Sequence, residues 1–203
     1  MKEKIERVPG YLQEAAPFYI DNERRLLRDA RTLILSGHIN NDTAKDLIQD
    51  FEILMNHSNE PITLIINSAG GEAFDGIGII RAINKAQGKG IKVIGEVHGQ
   101  AMSMAFMILQ CCDKRIMGKY CSLMCHGVST LAFLADIKDI EAERKIMGKL
   151  QHDFASMIAK RNTAPDNSDY REASYWLAIL EDNTPQFYDS QEATEMGLID
   201  KVQ

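Results

Sequence analysis

Ser103 and His126 are the residues whose types and order suggest a reaction. Ser103 lies in Gly99-Gln100-Ala101-Met102-Ser103-Met104-Ala105, between a β-rich run from Ile91 to Val97 and an apolar stretch from Ala105 to Leu109. His126 closes a second short apolar run, Leu123-Met124-Cys125, and is followed by Gly127. A serine becomes a useful nucleophile at neutral pH when a base stands beside it, so this order points to nucleophilic acyl transfer. Ser103 falls where a strand gives way to a helix, near orphan backbone amides and the positive end of the helix dipole. Those amides, Met104 foremost, could stabilise the oxyanion formed when a carbonyl is attacked. The plain alternative is a serine that caps its helix. Among the other histidines, His38, His57 and His152 fall in turn or surface contexts, and His98 is the rival base.

A second candidate follows the strand Ile62 to Ile66. Asn67-Ser68-Ala69-Gly70-Gly71 stands where the carboxyl ends of parallel strands build a crevice. A Gly pair permits positive φ and a close backbone approach, so an amide of Gly70 or Gly71 could be a second oxyanion donor, against the alternative of a tight turn. It is not a phosphate loop, because Glu72 and Ala73 replace the Lys and Ser/Thr that should follow the glycines.

The elements that must position these residues alternate. Thr32 to Ser36 reads as a buried strand turning at Gly37 to Asn41. Ala44, Leu47, Ile48, Phe51, Leu54 and Met55 then recur at helical spacing behind the capping candidates Asn41 and Asp42. A helix from Phe74 to Ala86, a strand from Ile91 to Val97, a helix from Met102 to Cys111 and short strands at Lys114 to Met117 and Ser122 to Cys125 continue the pattern. Strands apolar on both faces between helices predict an α/β fold with a parallel sheet covered by helices. From about Ala132 to Arg161, apolar residues including Phe133, Ile137, Ile140, Ile146, Met147, Leu150, Phe154 and Ile158 predict one long helix. That length exceeds a typical helix of about 11 or 12 residues, so it should protrude and pack on another subunit. Helical segments near Tyr170 to Leu180 and Ser190 to Met196, and a strand from Leu198 to Val202, complete the chain.

The 203 residues suit one domain, and no repeat or linker divides them. A net charge of −6 and the lack of a basic block argue against nucleic acid as a partner. No apolar run approaches the roughly 18 residues of a membrane span, and Lys2 to Arg7 lacks the apolar core of a secretory signal, so a cytoplasmic location is the default expectation. Cys111, Cys112, Cys121 and Cys125 are too crowded to staple the fold and are expected to be reduced. Cys121, Cys125 and His126 match none of the usual zinc spacings, and no metal or other cofactor is expected.

Taken in order, Asn67 to Gly71, Gly99 to Met104, Met124-Cys125-His126, the long helix, and Glu192-Ala193-Thr194-Glu195-Met196-Gly197-Leu198-Ile199-Asp200 resemble the proteolytic subunits of Clp proteases, the ClpP family, over roughly residues 18 to 202. The chain looks like a divergent or phage-type relative. The resemblance implies a crotonase-like fold of repeated β/α units and a Ser-His-Asp triad. It also implies stacked homo-oligomeric rings around a chamber, with the helix of residues 132–161 as the handle between rings. It makes Ser103 the nucleophile, His126 the general base, and the amides of Gly71 and Met104 the oxyanion donors.

The chain departs from the family pattern in three places. The family's acid stands two residues before an aromatic or large apolar position, filled here by Phe187, and Pro185 occupies the acid's place. Asp182 is the nearest substitute, with Glu181 and Asp189 as rivals. Gly127-Val128 replaces the family's Gln-Pro, and the arm Met1 to Pro17 does not match the family's axial segment. The expected activity is a serine endopeptidase acting on short or unfolded polypeptides, with an ATP-driven unfoldase as a possible partner for larger ones. The alternatives are a weakly active or inactive ring subunit, a crotonase-type acyl-CoA enzyme, and a Ser-Lys peptidase. The last has no lysine where His126 falls, and Lys114 and Lys119 read as solvated strand-end charges.

Overall fold

The computed structural model describes residues 30–128 and 137–203. The arm Met1 to Pro17, residues 18–29 and the first turns expected of the long helix, residues 132–136, lie outside the described residues.

Three β/α units build the core. Strand β1 (Thr32–Ile39) leads into α1 (Asn41–His57), β2 (Ile62–Gly71) into α2 (Ala73–Gly88), and β3 (Val93–Met102) into α3 (Met104–Cys111). Strands β4 (Lys114–Met117) and β5 (Ser122–Cys125) have the bounds the sequence predicts. Next come α4 (Ile137–Arg161), a short 3-10 turn (Asp169–Arg171), α5 (Ala173–Asp182), β6 (Gln186–Tyr188), α6 (Ser190–Glu195) and β7 (Lys201–Val202). The expected start of the third helix at Met102 gives way to Met104, because β3 runs on to Met102. Strand β6, which no periodicity announced, pairs antiparallel with β5. The cap of α1 is Asn40, not Asn41 or Asp42. Its side chain accepts from the Thr43 amide while the Thr43 hydroxyl accepts from the Asn40 amide.

The sheet runs β1-β2-β3-β4-β7, and every pair along it is parallel. Strands expected to be apolar on both faces show one covered face. In β2, Ile62, Leu64 and Ile66 are fully buried while Thr63 and Ile65 are half-buried, and Ile34 in β1 is 55% exposed. This period of two is that of a sheet with a single well-packed side. Ile39, Phe51, Leu54, Ile79, Ile83, Phe106 and Ile108 fill the space between the covered face and the helices.

One irregularity of β3 determines where the chemistry can sit. Its first half pairs with β4, Ile94 to Val97 against Lys114 to Met117, and its second half with β5, Gln100 to Met102 against Ser122 to Met124. Gly99, at φ +114°, lies at the switch, where a side chain would stand 2.7 Å from Asn67 Oδ1. Because β3 and β5 are parallel neighbours, the residues that leave their carboxyl ends emerge together.

The C-terminal segment is locked to β4 by Arg115, which is 1% exposed. Its backbone N–H and its guanidinium donate to both carboxylate oxygens of Asp200, at 2.7 to 3.2 Å, and Nη1 donates to Gln110 Oε1 at 2.8 Å. The second half of α4 buries Phe154, Ala155 and Ile158, whereas Ile140 and Ile146 in its first half are exposed.

Candidate active site

Ser103 and His126 leave the adjacent ends of β3 and β5. The Ser103 amide donates to the Met124 carbonyl oxygen at 2.9 Å, and Ser103 Oγ lies 2.8 Å from His126 Nε2. Ser103 has φ 53° and ψ −122°, one of three described non-glycine residues with positive φ. Such a conformation costs about 1 to 3 kcal/mol and persists where the surroundings impose it, often at functional sites. A strained strand-to-helix turn of this kind lifts a hydroxyl clear of the sheet edge. Although Ser103 is the N-cap of α3, its side chain makes no capping hydrogen bond. The hydroxyl is turned to the imidazole instead, which removes the plain capping alternative.

Gly70 and Gly71 frame the serine from β2. A Cβ on Gly70 would meet Met102 O at 2.7 Å and Ser103 Cβ at 2.8 Å, and one on Gly71 would meet Ile39 O at 2.1 Å. Both positions therefore demand glycine for close backbone approach. Gly70 N–H donates to Ser68 Oγ at 3.1 Å, and Glu72 N–H donates across to Ile39 O at 2.9 Å. Gly71 lies between these two amides in the chain and lines one cavity with Ser103. The Met104 amide opens α3 and has no partner within that helix.

A cavity of about 680 Å³ connects these groups. Ser103, His126 and Gly71 line it together with Glu72 and His38, and Met104, Met107, Ile146, Met147 and Phe154 form an apolar wall. Burial pushes the Cys125 thiol, next to His126, up to about 12, so no thiolate competes with the hydroxyl. His98, the rival base, does not line the cavity and pairs with Glu96 at 3.5 Å. No group of three or more His, Cys, Asp or Glu among the described residues is placed to hold a metal ion.

The acid is not brought to the imidazole. Asp182 ends α5 and is exposed, and no carboxylate among the described residues lies within ion-pair distance of His126. Glu181 is exposed, and Asp189 caps α6 by accepting from the Gln191 and Glu192 amides. The ladder that pairs Cys125 with Gln186 would, one step further, face His126 with Pro185. Gly127 is also forced: a Cβ there would stand 2.1 Å from the Leu180 carbonyl oxygen and 2.8 Å from Asn183 Oδ1. The end of α5 thus presses on the residue after the histidine, at the point where Gly127-Val128 departs from the family pattern.

The family model described as Clp protease matches residues 16–203. The chain belongs to the Clp protease family. Clp protease family membership makes it a peptidase subunit, and such chains generally assemble into oligomeric rings. The mostly parallel sheet with its helices fits the Clp protease fold. No helix among the described residues is long and apolar enough to cross a membrane. Sequence reasoning passed over Glu72 as a cavity residue, having weighed it only as a departure from a phosphate loop. Its place directly after Gly71 was the signal available.

Proposed function

We propose that this chain is a serine endopeptidase subunit of a self-compartmentalised, cytoplasmic ring assembly that hydrolyses peptide bonds of short or unfolded polypeptides. The observation that carries this reading is the 2.8 Å contact between Ser103 Oγ and His126 Nε2 at a strained turn whose hydroxyl is not used as a cap. Ser103 Oγ attacks the scissile carbonyl carbon while His126 Nε2 takes its proton, and the amides of Gly71 and Met104 receive the oxyanion. His126 then protonates the leaving amine, and water hydrolyses the acyl-enzyme. Asp182 is the carboxylate that rearrangement of residues 183–185 would bring to the imidazole when substrate is bound. Catalytic hydrogen bonds commonly tighten only in the substrate complex. The exposed Ile140 and Ile146 suit α4 to the role of a handle covered by another subunit, and an ATP-driven unfoldase would be needed for folded substrates.

The test is covalent labelling by a fluorophosphonate. The wild-type protein should label, while Ser103→Ala and His126→Ala should not, with both variants keeping the wild-type far-UV circular dichroism. Labelling that persists in Ser103→Ala removes Ser103 from its role. Sedimentation at micromolar concentration should show an oligomer, and a stable 22.8 kDa monomer contradicts the ring. A weakly active ring subunit is the second reading, favoured by the lack of a carboxylate beside His126 among the described residues. A crotonase-type acyl-CoA enzyme has no need of a serine paired to a histidine, and the contact speaks against it.

A further inference from the structure

Among the described residues, one carboxylate lines the cavity that holds Ser103 and His126, at a place where negative charge opposes the reaction. Glu72 follows Gly71 directly, is exposed, and lines the cavity, to which no lysine or arginine among the described residues contributes. It is the N-cap of α2, yet its side chain makes no capping hydrogen bond. It forms no ion pair with any described residue. Among the described residues, no ion pair or cap uses the carboxylate to hold the fold.

Adjacent residues are about 3.8 Å apart along the backbone, so Glu72 stands close to the amide to which the oxyanion is assigned. A carboxylate lining the same cavity repels negative charge, and the repulsion grows as that charge develops on the attacked carbonyl. A neutral peptide must react against that field. A peptide carrying a positive charge beside the scissile bond would both bind Glu72 and cancel the repulsion in the transition state.

We propose that Glu72 is a specificity-determining residue, which selects polypeptides with a lysine or arginine side chain within a residue or two of the bond cleaved. This rests on the reading of Ser103 and His126 given above and adds the substrate class. The apolar wall of Met104, Met107 and Phe154 receives an uncharged side chain. The cation is therefore held at a neighbouring position, on the α2 side of the cavity, and the preference appears in kcat as well as in KM.

The experiment compares matched fluorogenic peptides that differ only in having lysine, norleucine or glutamate beside the scissile bond. They are cleaved by the full-length wild type, Glu72→Gln and Glu72→Lys, with fluorophosphonate labelling of Ser103 measured in parallel. The wild type should favour lysine over norleucine by about fivefold in kcat/KM, the scale of a solvent-exposed ion pair, with the ratio shrinking as salt is added. Glu72→Gln should bring the ratio near one by raising kcat for norleucine as well as weakening lysine, and Glu72→Lys should favour glutamate. Labelled wild type with the same ratio as Glu72→Gln, or a parallel loss on all three peptides, overturns the role of Glu72 alone. Absence of wild-type labelling overturns the serine reading, and this inference with it.

Discussion

Gly70 packs against the Ser103 turn so closely that a Cβ on the glycine would stand 2.8 Å from Ser103 Cβ. The same atom would press on the Met102 carbonyl oxygen and the Met104 amide, and φ of +95° would strain any side chain there. Gly70→Ala should therefore destabilise the fold by about 1 to 3 kcal/mol, as overpacking does, and should reduce fluorophosphonate labelling of Ser103 at least tenfold. Gly90 shares a positive φ, +81°, but has open space around it, so Gly90→Ala should lower thermal stability slightly and leave labelling intact. Equal labelling in the two variants would mean that the glycine contact does not hold the serine in place.

The base should depend on a carboxylate that the resting structure holds away from it. Asp182→Ala is expected to cut peptide hydrolysis by orders of magnitude, up to the roughly 10⁴ lost when an imidazole is left in the wrong tautomer. Because the β5–β6 ladder directs position 185 toward His126, Pro185→Asp in that background should restore at least a tenfold part of the loss. Steady-state kinetics on a short peptide measures both. Unchanged turnover in Asp182→Ala would assign the orientation of His126 to another group.

Acid should loosen the C-terminal segment. Burial by itself would raise the pKa of Asp200, but the hydrogen bonds and charge of Arg115 outweigh it and hold the carboxyl below its ordinary value. A group with a lowered folded pKa contributes its stability above the unfolded value, about 3.9 for Asp, and loses it as pH falls toward the folded value. Asp113 adds a slope of the same sign: burial again opposes, and hydrogen bonds from the Val93 amide, Lys92 and Gln87 prevail. Asp200→Asn leaves the buried Arg115 charge unpaired and should cost about 3 kcal/mol at neutral pH. Urea unfolding between pH 3 and 7 should show a shallower loss of stability below pH 4 in the variant, and identical acid slopes would remove Asp200 from this role.

Much of the site was legible in the order of the residues. The sequence sets Ser103 between a β-rich run and a helix and His126 at the end of a short apolar run, and in the structure the two residues follow the ends of β3 and β5. The helical repeat from Ala44 to Met55 lies within α1, with all but the half-buried Ile48 among its buried residues. Less legible were features that depend on a partner strand. Strand β6 spans three residues, too few for a period to register, and exists because β5 offers an unpaired edge. The cap of α1 fell one residue earlier than expected, because the reciprocal Asn40–Thr43 hydrogen bonds outweigh the proximity of Asn41 and Asp42 to the apolar run.

From residue types and spacing came the α/β alternation and the candidate serine, histidines and glycine pair, and the resemblance to the family favoured His126 over His98, since periodicity and motif order are properties of neighbouring residues. Tertiary structure decided what no spacing encodes. It brought the hydroxyl within 2.8 Å of the imidazole by placing β3 beside β5, and it turned the Gly70 amide to the Ser68 hydroxyl. It set Glu72 in the cavity and left Asp182 outside it. The physical reason is that hydrogen bonds and charges act over a few ångströms in space, and only the packed sheet brings residues so far apart along the chain within that range.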